Sequence, residues 1–159
     1  MRVATIGVYG FTAESFVDAL RRAAVGLVID VRQRRGVRGS EYAWANAGRL
    51  QAALVAAGIG YRHHKGLAPT TELRQLQYRE DDRLGVGKRS RVELAPEYAR
   101  RYVQEILDLA DLDTLVAGLP RETGTALLCV ERDPEACHRS LVADRLAERH
   151  GVAVTHLLP

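Results

Sequence analysis

Short apolar runs alternate with stretches of helical periodicity along almost the whole chain, and this alternation narrows the fold class. Residues 3–8, 27–31, 59–63, 125–130 and 152–157 read as short strands. After the first, Thr12 offers a helix N-cap with Ser15 three residues on. Phe16, Ala19, Leu20 and Ala23 then recur at helical spacing, and Gly26 is the expected stop. Leu50, Leu54, Val55 and Ala57 mark a second helix with Gly58 at its end. Helices are also expected over residues 71–83, from Pro96 through Tyr98, Tyr102, Ile106 and Leu109, and over residues 140–150 before Gly151. Parallel strands need a crossover between them, and these helices supply it. The expected fold is a single α/β domain over residues 1–159, a mostly parallel sheet of about five strands with helices on both faces. No repeat or linker interrupts the pattern.

At 159 residues, 47% hydrophobic and 27% charged, the chain has enough apolar mass for a full core, which excludes a disordered class. Two cysteines, Cys129 and Cys137, make no disulfide framework, and the N-terminus reads as a strand rather than a leader. No run of about 20 apolar residues exists, so no membrane span is expected. The expected setting is a reducing cytoplasm. Net charge is +3, mild in total but concentrated: Arg32, Arg34, Arg35 and Arg38 form one basic cluster, and Arg83, Lys88, Arg89 and Arg91 another.

In parallel sheets ligands sit beyond the carboxyl ends of the strands. Four segments follow predicted strand ends: Gly7 to Gly10, Asp30 to Arg32, His63 to Lys65, and Glu131 to Arg139. They hold most of the chain's reactive side chains. Cys137-His138-Arg139 opens a helix, whose unpaired N–H groups and dipole favour an anion. Arg139 adds a planar fork suited to phosphate or carboxylate. The same field stabilises a thiolate, so Cys137 is a candidate nucleophile, with His138 and Glu131 as proton-moving groups. The structural alternative has Cys137 near the N-cap, His138 packing and Arg139 paired with Glu131. A phosphatase-type thiol needs its Cys and Arg to bracket a phosphate-cradling loop. Here they are two residues apart, which disfavours that mechanism.

Cys129 reads as core packing in mid-strand. Cys129 and Cys137 are eight apart with His138 close by, and a zinc site would need two more ligands at sensible spacing. His63, His64 and His156 are available but form no motif, so neither metal nor cofactor is expected. Asp30 and Arg32 share one side of their strand, and Tyr9 follows the first strand end, so all three are candidates for ligand contact with Arg139. The rival is a non-catalytic nucleic-acid module. It would use Arg34, Arg35 and Arg38 with Trp44 as a stacking ring, together with Lys88 and Arg89. The Gly-Val-Gly-Lys-Arg-Ser stretch from Gly85 lacks the spacing and setting of a phosphate loop.

Thr5-Ile6-Gly7, Ile29-Asp30-Val31-Arg32, Ala57-Gly58-Ile59-Gly60-Tyr61, and Leu128-Cys129-Val130-Glu131 followed by Cys137-His138-Arg139 occur in this order. Together the chain resembles the bacterial and archaeal family called domain of unknown function 488, over nearly its whole length. The resemblance implies an α/β domain with a pocket near the Cys-His-Arg turn and carries no activity. Val8-Tyr9-Gly10 and the run from Gly66 to Thr70 depart from many members and suggest a subgroup with its own arginine-rich loop. The preferred expectation is a pocket for a phosphate-bearing or other anionic small molecule. If a reaction follows, it is hydrolysis or transfer at a phosphoester or thioester.

Overall fold

The computed structural model describes residues 1–159. Five strands form one all-parallel sheet: β1 (Arg2–Ile6), β2 (Val25–Asp30), β3 (Gly60–His63), β4 (Gly124–Leu128) and β5 (Ala153–Leu157), in the order β3-β2-β4-β1-β5. The helices are α1 (Ala13–Arg22), α2 (Ala47–Ala56), α3 (Thr71–Leu84), α4 (Pro96–Glu105), α5 (Leu112–Ala117) and α6 (His138–His150). No helix is long and apolar enough to cross a membrane.

Local chemistry explains most boundaries. Thr12 and Ser15 form a reciprocal capping box on α1. Thr70 caps α3, Pro96 starts α4, and Gly151 in the left-handed region ends α6. Gly26 is not the stop of α1: the helix ends at Arg22, Ala24 takes the positive φ of the turn, and Gly26 lies within β2. A Cβ there would collide with the Thr123 side chain. A close approach, not chain reversal, is what requires glycine at this position.

β4 is buried at all five positions, as a central strand covered on both faces must be. Its neighbours β1 and β2 send their helices one way. From β1 the chain crosses through α1 to β2 on one side, and from β4 it crosses through α6 to β5 on the other. Right-handed crossovers in opposite directions put α1 and α6 on opposite faces of the sheet. Accordingly α1 packs on α2 and β2, while α6 packs on β1, β4 and β5 and carries α4, which carries α3. The chain therefore parts at the carboxyl ends of β1, β2 and β4, and a crevice opens there. Gly7 pins it, because the β1 exit runs so close to Glu131 that any Cβ would overlap the Glu131 carbonyl oxygen.

Candidate functional site

A cavity of about 920 Å³ occupies this crevice. Tyr9 enters it from the exit of β1. Arg32, Arg34 and Arg38 come from the loop after β2, and Cys129, Glu131, Cys137 and His138 from the segment after β4. Arg74 and Tyr78 of α3, with Lys88, Arg89 and Arg91, close the far wall. Three of the four strand-end segments thus converge. The His63 segment does not: His63 Nε2 lies 2.9 Å from the Arg32 carbonyl, and His64 lines a separate pocket with Arg62.

The floor is buried chemistry. Cys129 stands one residue beyond β4 rather than in mid-strand; it packs in the hydrophobic core, as expected, and also lines the cavity. Cys137 is the N-cap residue of α6 and His138 its first residue. The Cys129 and Cys137 sulfurs lie 3.9 and 3.8 Å from His138 Nδ1. On the other side of the ring, Nε2 sits 3.0 Å from the Val31 carbonyl oxygen, which can only accept. Nε2 therefore carries a proton, and Nδ1 faces the sulfurs. Tyr102 packs on the ring at 5.2 Å between centroids and donates its hydroxyl to the Leu67 carbonyl at 2.6 Å.

The electrostatics of the floor separate the two thiols. Burial alone would push Cys137 up, but the Cys129 hydrogen bond and the charges of His138 and Arg139 hold it well below an ordinary thiol. Cys129 is pushed well above, by its hydrogen bond to Cys137, by burial and by the negative charges beside it. For His138, burial favours the neutral ring, and the Cys137 thiolate overcomes this to raise its pKa. Glu131 is raised by burial and by Cys137, against the pull of Lys88 and Arg91. Cys129 Sγ also lies 3.3 Å from Glu131 Oε2, and Glu131 Oε1 meets Arg91 Nη1 at 3.4 Å and Lys88 Nζ at 3.8 Å.

The arginines sort into two kinds. Arg32 is buried and fully committed: Nε and Nη2 donate to Asp30, and Nη1 donates to the Ala45 carbonyl at 2.9 Å. Asp30 also accepts from Tyr61 at 2.6 Å and has no surface of its own, so it acts on the cavity only through Arg32. Arg139, expected as a ligand group, does not line the cavity. Its guanidinium donates to the carbonyls of Glu131 (2.7 Å) and Arg132 (3.0 Å), clamping the loop backbone rather than pairing with the Glu131 carboxylate. Arg35 is also turned away, 3.4 Å from the Tyr61 hydroxyl. Arg34, Arg38 and Arg74 line the cavity with no carboxylate partner. Arg89 lies over Tyr9 and Tyr42 and pairs with Glu41.

Trp44 is not a free stacking ring. It packs on Phe16 with centroids 5.0 Å apart, filling the edge of the core. Gln77 and Asp81 had no expected role, and Arg91, expected in a basic surface cluster, is instead buried; the three form a wall. Arg91 Nε donates to Asp81 at 3.0 Å, Gln77 Nε2 donates to Asp81 at 2.9 Å, and the Ala95 N–H donates to Gln77. The spacing of Gln77 and Asp81, four apart on one helix face, was the available signal. In a helix as polar as α3 it does not distinguish a buried face from a solvated one.

Fold and site together define a parallel α/β domain with a basic cavity at the sheet's carboxyl edge and a cysteine–histidine cluster at its floor. Residues 12–146 match the model of the family described as "Domain of unknown function DUF488", and the chain belongs to that family. Neither the curated proteins nor the solved structures hold a match to the chain.

Proposed function

We propose that the cavity binds a phosphate-bearing or similarly anionic small molecule. The observation that carries this is the group of arginines without carboxylates, Arg34, Arg38 and Arg74, facing a cavity whose one carboxylate, Glu131, is already held by Lys88 and Arg91. A pocket wall left with positive charge in excess invites charge-assisted, bidentate contact with an anion. The anionic end of the ligand would lie against these arginines. The rest would extend over Cys137, His138 and Glu131, where hydrolase or transferase chemistry would act.

The nucleic-acid reading draws on the same loops. It is weakened by the packing of Trp44 on Phe16 and by the concave placement of Arg34 and Arg38. Titration calorimetry with pyrophosphate and with a single-stranded oligonucleotide, each at several salt concentrations, separates the two. Saturable pyrophosphate binding that falls about tenfold or more in Arg34→Ala is expected. No pyrophosphate binding, with oligonucleotide affinity falling by about 0.7 log units per phosphate contact for each log unit of salt, would replace it with the nucleic-acid module.

A further inference from the structure

The three donor atoms at the cavity floor, Cys129 Sγ, Cys137 Sγ and His138 Nδ1, all lie within 4.8 Å of one another. A tetrahedral zinc ion with Zn–S of about 2.3 Å and Zn–N of about 2.0–2.1 Å would separate a sulfur and a nitrogen ligand by about 3.6 Å. The sulfurs here stand 3.8 and 3.9 Å from Nδ1, within a few tenths of an ångström of that edge. The tautomer is the one ligation needs. The Val31 carbonyl accepts from Nε2, as outer partners of metal-bound histidines commonly do, and leaves Nδ1 as the ring atom that faces the sulfurs.

We propose that Cys129, Cys137 and His138 form a three-ligand site for a zinc-class divalent metal ion, with the fourth position open to the cavity. All three residues are buried yet line the cavity, so protein encloses the ion on one side and leaves the other to water or an oxygen of the ligand. Three protein ligands and one open position is the layout of catalytic rather than structural zinc. Two thiolates cancel the charge of a divalent ion, so the loaded site is neutral overall, as burial favours. Any proton still on a sulfur or on His138 Nδ1 leaves to solvent as the bonds to the metal form, and no electron is transferred. Thiolate and imidazole donors favour zinc over magnesium or calcium. Spacing alone sets His138 close to Cys129 and Cys137, but the three come from a strand end and a helix start, and only the fold brings their donor atoms together. The outlying histidines, His63 and His156, bond elsewhere, to the Arg32 carbonyl and to Thr5.

The test is cobalt titration of the reduced, metal-free full-length chain. One ion per chain is expected, with tetrahedral ligand-field bands and thiolate-to-cobalt charge transfer, both abolished by added zinc. Cys129→Ser should lose one thiolate's share of the charge transfer. It should also weaken binding beyond the roughly 10- to 100-fold that loss of an outer partner costs. Should that variant misfold, the wild-type chain supplies a second reading: zinc should protect both Cys129 and Cys137 from alkylation, and a chelator should restore it. An octahedral spectrum that persists in Cys129→Ser, or alkylation unaffected by zinc, overturns the site. Pyrophosphate binding to the metal-free chain tests the anion pocket separately, so either conclusion can fail while the other stands.

Discussion

The floor and the rim of the cavity are built in opposite ways. At and beneath the floor the charged side chains are buried and held by other protein groups: His138 by Val31 and Tyr102, Glu131 by Arg91 and Lys88, Arg32 by Asp30, and Arg139 by two loop carbonyls, with only its Nε left without a partner. At the rim, Arg34 and Arg38 are exposed and their side chains have no hydrogen-bonded or charged partner. A buried charge must be paired to be tolerated, so the floor is rigid and its residues are needed for folding. An exposed arginine stays solvated, so the rim is free to serve a ligand at little structural cost. A change at the floor should therefore be felt as stability, and a change at the rim as affinity.

Asp30→Ala is the harshest way to break this contrast. It leaves the buried Arg32 guanidinium uncompensated and should destabilise the chain by about 3–5 kcal/mol, read by urea denaturation. A loss under about 1 kcal/mol would mean that the floor is not rigidly paired. Arg139→Ala should come next, at about 2–4 kcal/mol, because two loop carbonyls lose their donor beneath the cavity. If that variant keeps wild-type stability but loses anion binding, Arg139 belongs to the ligand and not to the loop.

At the rim, Arg38→Ala should leave stability within about 0.5 kcal/mol while lowering pyrophosphate affinity several-fold. A stability loss comparable to that of Asp30→Ala would erase the distinction. The smallest effect sharpens the floor itself. In reduced, metal-free protein the two thiols should alkylate in different pH ranges. Cys137 is depressed, so its rate should level off below the ordinary thiol value of about 8.5. Cys129 is raised, so it should react only above that value. Peptide mass spectrometry resolves the two sites, and coincident profiles would show that the cluster does not polarise its thiols.

Much of the fold was legible in residue order. The five apolar runs correspond to the five strands, and Thr12, Pro96 and Gly151 stand at the helix ends they mark. Propensity and capping act over a few residues, so a single chain displays them. Gly26 was misread because its reason is a neighbour nearly a hundred positions away, Thr123. The candidate site was legible in part. Tyr9, Arg32, Arg34, Arg38, Lys88, Arg89, Glu131, Cys137 and His138 were named and line one cavity. Arg139, Arg35 and Trp44 were named and face elsewhere, because residue type does not reveal which way a long side chain turns.

By itself, then, the sequence determined the five strands, most of the helices, their parallel alternation and the edge where reactive groups gather, since these follow from periodicity and chain direction; α5 was not foreseen, and the helix expected through Leu109 ends at Glu105. Only the tertiary structure decided which charges are spent and which remain free. It alone brought the donor atoms of Cys129, Cys137 and His138 together, and it alone built the Gln77-Asp81-Arg91 wall from one face of α3 and a residue ten positions beyond Asp81. Pairing and ligation depend on ångström-scale distances between groups that the strand order of the sheet brings together, and spacing along a chain does not encode those distances.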